Sequence, residues 1–289
     1  MKGSTITDTL KTYYRLTKPE RTLTNTMTAV AGFLFASRWH IDWPLFASMA
    51  IGLTLVIASA CVLNNLIDRR LDKKMSRTKN RALPAGRVSP AAGLVFGIIL
   101  GAAGFGILSF TNALTMAVIG VGYIGYIAAY GWAKRHTIHS TLIGTIPGGA
   151  SLVAGYTAVT GQLDRAAAIL FVLMLAWQMA HFYAIAVYRL KDYGAAKLPV
   201  LPAKKGVKTT KKHVLVYTIL FLFAASLLTW ENYTGYIYLA SVLFIGAWWL
   251  KSILEDVPTD EQWGKGVFKV SLSVLVVTSV LLALGPILP

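Results

Sequence analysis

The chain has 289 residues, 55% of them hydrophobic and only 14% charged, with a mean hydropathy of +0.58. A soluble domain carries roughly 25% charged residues on its surface, and disorder requires low hydrophobicity. The composition therefore excludes a water-soluble enzyme, a soluble nucleic-acid-binding module and a disordered chain. What remains is a polytopic membrane protein, whose net charge of +16 must lie outside the lipid.

Long apolar runs predict an all-α transmembrane bundle of about nine helices, within a single domain spanning 1–289. Their approximate limits are 22–37, 44–66, 91–110, 114–132, 141–159, 166–188, 214–230, 236–250 and 267–285. The first run follows a polar segment with Asp8 and Glu20, lacks a small-residue cleavage pattern and is followed by Arg38. It reads as a retained helix, not a signal or transit peptide. The second run holds the one cysteine, Cys61, which excludes an intrachain disulfide and reads as a small packing residue. Gly97, Gly101 and Gly104, and Gly120, Gly122 and Gly125, are spaced to let helix backbones approach closely.

Numbering the loops in chain order, 26 of the 28 basic residues fall in the N-terminal segment and the even loops, leaving only Arg38 and Arg165 in the odd ones. By the positive-inside rule the N-terminus is cytoplasmic, and an odd span count puts the C-terminus outside. The loop after the eighth span also carries Glu255, Asp256, Asp260 and Glu261 and reads as a solvated face.

Loops two (67–90) and six (189–213) are unusually long and hold 16 of the 28 basic residues. They follow the second and sixth spans, which suggests two related halves whose loops meet above one cavity. Loop two opens with Asn64, Asp68 and Asp72 at i, i+4 and i+8. If the second helix continues past the membrane edge, these three stack on one face, about 5–6 Å apart. Such hard oxygens suit Mg²⁺, which takes one or two carboxylates plus substrate phosphate oxygens. The competing account pairs Asp68 and Asp72 with Arg69, Arg70, Lys73 and Lys74 on a wet helix end. An amide such as Asn64 within an apolar helix needs a partner, which favours a shared ligand. The cations that follow, Arg77, Lys79, Arg81 and Arg87, complete a candidate diphosphate site. Attraction to anionic lipid accounts for others, notably the N-terminal set.

Loop six has one carboxylate, Asp192, which could join the metal site or orient Lys191. In the helix before it, His181 is either hydrogen-bonded inside the bundle or a substrate contact near the cavity mouth.

The Asn64-x-x-x-Asp68-x-x-x-Asp72 spacing resembles the UbiA superfamily of intramembrane prenyltransferases. The runs N-N-L-I-D-R-R-L-D-K-K-M-S-R-T-K-N-R (64–81), H-F-Y-A-I-A (181–186) and K-D-Y-G-A-A-K-L-P-V-L-P (191–202) resemble its haem-farnesylating branch. Thr17-Lys18-Pro19 and Ile146-Pro147-Gly148 also fit. Members that prenylate hydroxybenzoate or quinone precursors usually carry a second D-x-x-x-D motif in loop six, which is missing here. The chain departs from the pattern at Glu20, Ala82 and Ala180, the last where relatives commonly have Pro before the histidine.

The resemblance implies farnesyl transfer from farnesyl diphosphate to haem B, with Mg²⁺ bound by Asn64, Asp68 and Asp72. It implies catalytic roles for those three with Lys191 and Asp192. It implies substrate contacts from Arg77, Lys79, Arg81, Tyr188 and His181. It also implies a terminal oxidase or haem A synthase as partner, while the charge distribution places both long loops on the cytoplasmic side, the lack of a visible transit peptide points to a bacterial inner membrane, and the spans leave no role for nucleic acid. The alternatives are another aromatic prenyltransferase of the same superfamily, and a transporter with basic gating loops. Acids at a helix end, not near the midplane, argue against the transporter.

Overall fold

The computed structural model describes residues 6–289, and every regular element among them is helical. An amphipathic α1 (Ile6–Leu16) precedes α2 (Pro19–Ser37), α3 (Trp43–Asp72), α4 (Pro90–Leu108) and α5 (Ala113–Ile124). A π-helical stretch (Gly125–Tyr130) continues α5 into α6 (Gly131–His136), followed by α7 (Ser140–Thr160) and α8 (Arg165–Tyr188). Two short helices, α9 (Leu190–Ala195) and α10 (Leu201–Lys205), lead to α11 (Val207–Trp230), α12 (Tyr236–Leu254) and α13 (Asp260–Leu284).

Helix starts follow local chemistry. Asp42, Ser89, Asn112, Asp164 and Thr259 each accept the backbone N–H three residues on, and prolines open α2, α3 and α4. Among the described residues, eight helical segments are long and apolar enough to cross a membrane. The ninth expected span, α2, is more polar but satisfies its groups locally. Thr22, Thr24, Asn25, Thr26 and Thr28 all donate to nearby backbone carbonyls.

One half of the bundle is built from α2 to α7 and the other from α8, α11, α12 and α13. They join where α7 packs on α8 and α13 on α2. The glycines set the closest approaches. On α4, Gly93, Gly97, Gly101, Gly104 and Leu108 are the buried residues, while Ile98 and Ile99 point outward to where lipid would lie. A Cβ on Gly104 would stand 2.8 Å from the Gly52 carbonyl oxygen of α3, and one on Gly155 only 1.8 Å from the Ala29 carbonyl oxygen of α2. Gly122 and Gly125 face Pro147 of α7, whereas Gly120 faces open space. The largest apolar core centres on α8, with Leu170, Leu173 and Met179 buried against Phe221, Leu228 and Trp249.

Candidate active site

The second span does continue past its apolar stretch. α3 runs unbroken to Asp72, and Asn64, Asp68 and Asp72 are all buried on one flank of it. Their partners are not the neighbouring cations. The Lys134 ammonium bonds Asp68 Oδ2, and Arg135 donates to Asp68 Oδ1 at 3.2 Å. Arg81 meets Asp72 Oδ2 at 2.9 Å. The wet-helix-end account therefore fails: the side chains of Asp68 and Asp72 are 11% and 4% exposed, and their counter-ions come from other segments.

Lys134 and Arg135 reach Asp68 because of the π-helical turn before them. A π turn inserts one residue into a helix and rotates everything after it by about 100°. Here it stacks Tyr126 on Tyr130, with centroids 5.6 Å apart, and turns Lys134 towards the end of α3. Lys18 approaches from the other side. It sits at a left-handed backbone position between α1 and α2 (φ 50°), and its Nζ donates to Asn64 Oδ1 at 3.3 Å. Burial, with Arg21 and Arg81 nearby, pushes the Lys18 ammonium down to about 7. Arg21 lies within electrostatic reach of Lys18, Tyr126, Tyr130, Tyr193 and His181 yet keeps accessible surface.

Loop two is fastened down by apolar anchors. Ala82, Leu83 and Val88 bury against Leu16 and Val62. The Thr78 hydroxyl donates to the Asp72 carbonyl at 2.8 Å, and Arg87 bonds the Asn80 carbonyl at 2.7 Å. Arg77 and Lys79 stay exposed, with Arg77 in electrostatic reach of Tyr130.

The two long loops meet. Ser76 of loop two donates to Asp192 Oδ1 of loop six at 2.8 Å, and Asp192 also faces Arg189 at 3.9 Å. Asp192 is thus held by Ser76 and Arg189, and it orients the loops relative to each other. Lys191 is exposed. Tyr188 packs against Phe268 of α13 and under the Arg189 guanidinium. His181 is buried inside the bundle. Its Nδ1 lies 2.7 Å from Ser271 Oγ, and its ring stacks 4.6 Å from Trp177. Trp177 in turn donates to the Ser271 carbonyl.

The donor set fits a hard divalent cation. Two buried carboxylates and an amide on one helix face supply oxygens, and substrate phosphate would fill the remaining positions. Among the described residues no cluster of three His, Cys, Asp or Glu side chains is present, so the protein alone would not complete a coordination shell. Asn64 Nδ2 is buried with no partner. Such an orphan donor costs about 1–3 kcal/mol and suits a phosphate oxygen. Around this nucleus stand Lys18, Arg21, Arg81, Lys134 and Arg135, a setting for a polyanionic leaving group.

Composition marks Arg21, Lys134 and Arg135 only as basic residues near span ends, Lys18 stands out only within Thr17-Lys18-Pro19, and no spacing singles out Ser76, Tyr193 or Ser271. One signal was available: Lys134 and Arg135 end a span on the same predicted side as the end of α3, with no acid of their own nearby.

A helical membrane bundle whose buried Asn and Asp residues are ringed by cations matches the model of the UbiA prenyltransferase family over residues 25–273, and the chain belongs to that family. It is similar to the protoheme IX farnesyltransferase of Klebsiella pneumoniae subsp. pneumoniae, at 42% identity over 283 residues covering 96% of each chain. Among solved structures, a digeranylgeranylglyceryl phosphate synthase shares the fold with a TM-score of 0.78 at 20% identity, covering 96% of this chain and 98% of the other. A UbiA homologue from Archaeoglobus fulgidus bound to GPP and Mg²⁺ does so with a TM-score of 0.66 at 14% identity, covering 94% and 99%.

Proposed function

We propose that this chain transfers the farnesyl group of farnesyl diphosphate to a vinyl group of haem B, with addition of water, giving haem O and diphosphate. The observation that carries this reading is the 42% identity, over 96% of both chains, to a protoheme IX farnesyltransferase. The single carboxylate of loop six agrees with it, because aromatic-acid prenylation in this superfamily usually uses a second acidic pair there.

Asn64, Asp68 and Asp72 would hold Mg²⁺, which when bound supplies positive charge to the departing diphosphate. Lys18, Arg21 and Arg81 surround the diphosphate and offset the charge that grows as its C–O bond breaks. With Mg²⁺ on Asp68, Lys134 would be free to serve the phosphate oxygens. The bond pair leaves with diphosphate, and the allylic carbon gains cationic character. The haem vinyl group attacks that carbon, and water then adds to the resulting cation and gives up a proton. The apolar helices keep water from the allylic cation before the vinyl group reaches it. Ser76 and Asp192 keep loops two and six closed over the diphosphate. Arg77, Lys79 and Lys191 form an outer ring that guides it in and out. The packing of His181 and Tyr188 supports a role in shaping the haem-side wall.

The chain acts as one catalytic unit in a bacterial inner membrane, with loops two and six on the cytoplasmic side, supported by the distribution of basic residues. Its product suits a haem A synthase or a terminal oxidase. The test supplies the purified chain with Mg²⁺, farnesyl diphosphate and either haem B or hydroxybenzoate, followed by mass spectrometry. Farnesylated, hydroxylated haem is the expected product. Prenylated hydroxybenzoate with unmodified haem would replace this reading with the aromatic one.

A further inference from the structure

A second basic site lies beside the first. Ile67, Arg69, Arg70, Leu71, Lys74 and Arg135 line a groove of about 430 Å³ on the flank of α3, roughly a third of a turn from the acid face. Its walls bring together four cations and no carboxylate. Among the described residues Arg70 and Lys74 form no ion pair, and Arg69 spends one N–H on the Leu66 carbonyl at 2.9 Å. Four converging like charges repel one another unless an anion sits between them. The remaining two lining residues are apolar, and Ile67 is exposed. The level in the membrane is marked by Trp132 on α6, which is 61% exposed and stacked on His136. Exposed tryptophans of this kind settle at the headgroup boundary. Four cations beside two apolar side chains, close to that level, match an amphiphile better than a free ion.

We propose that this groove binds the phosphate of an anionic phospholipid, with its acyl chain along Ile67 and Leu71, and that occupancy draws Arg135 away from Asp68. Arg135 belongs to both sites. Its Nη2 donates to the Ile67 carbonyl at 3.1 Å and to Asp68 Oδ1 at 3.2 Å, while its side chain is 41% exposed and faces the groove. A phosphate in the groove competes with Asp68 for that guanidinium and leaves the carboxylate freer for a cation. The lipid contact stands on its own; the coupling rests on reading Asp68 as a metal ligand.

The test adds phosphatidylglycerol, phosphatidylcholine or inorganic phosphate to the delipidated full chain and reads retained species by native mass spectrometry. The chain should retain phosphatidylglycerol over phosphatidylcholine, with excess inorganic phosphate failing to displace it. Arg70→Gln with Lys74→Gln should lower that retention roughly thirtyfold if the two charges act independently, and Arg70→Lys with Lys74→Arg should restore it. Equal retention of both lipids, or ready displacement by inorganic phosphate, would overturn the lipid assignment. In nanodiscs, phosphatidylglycerol should lower the Mg²⁺ concentration needed for half-saturation, and the double glutamine variant should lose that response. Intact lipid retention with no change in Mg²⁺ binding would remove the coupling while leaving the lipid site.

Discussion

Loops two and six follow helices α3 and α8, and they solve the same problem in opposite ways. At the end of α3 the acids are buried and take their cations from outside the helix: Lys134 and Arg135 from α6 for Asp68, and Arg81 from loop two for Asp72, while Lys18 bonds Asn64. At the end of α8 the helix stops at Tyr188, α9 restarts it, and the one acid faces Ser76 of the other loop while Lys191 is exposed. The rigid helix end concentrates charge where desolvation makes it strong, and the broken end ties the two loops together through Ser76 and Asp192. Electrostatic catalysis needs the first arrangement, because preorganised charges act most strongly where water is excluded.

The comparison is broken most severely by neutralising the helix end. Asp68→Asn or Asp72→Asn should cut turnover by about a thousandfold while keeping volume and membrane insertion, as read by product formation and a thermal melt. Next comes Lys134→Met, which leaves Asp68 with only the half-exposed Arg135. Removing one partner of a buried pair costs about 3–5 kcal/mol, so the melting temperature should fall, and Mg²⁺ should raise it more in the variant than in the parent. Ser76→Ala removes a hydrogen bond to a carboxylate, worth about 1.5–3 kcal/mol. It should loosen loop six, seen as faster amide exchange over 189–200, with about a tenfold loss of turnover. Ser271→Ala should cost about 1 kcal/mol of stability through the lost His181 contact. The smallest effect belongs to the exposed Lys191: Lys191→Ala should change stability by less than about 0.5 kcal/mol and shift KM more than kcat.

Much of this was written in the chain. Eight of the nine expected spans follow from apolar run length, and the Asn64–Asp68–Asp72 stack from the helical period, because both depend on local sequence alone. The glycine face of α4 was equally local. The counter-ions were not legible, since Lys134 reaches Asp68 only through a π turn, and nothing in Gly125–Tyr130 announces that irregularity by composition. The Ser76–Asp192 bond joins residues far apart in sequence, and spacing carries no information about such a contact. His181 stood between two readings, and its partner Ser271 lies on the last helix. Its bonded, stacked environment favours the packing role that a buried histidine most often has.

On the proposed function, the end of α3 binds a metal and a diphosphate together. Calorimetry with a non-reactive farnesyl thiodiphosphate, with and without Mg²⁺, tests it most directly in the parent chain and in Asp72→Asn. Mg²⁺-dependent binding in the parent that disappears in the variant is the expected result. Equal binding in both, with or without Mg²⁺, would contradict the claim.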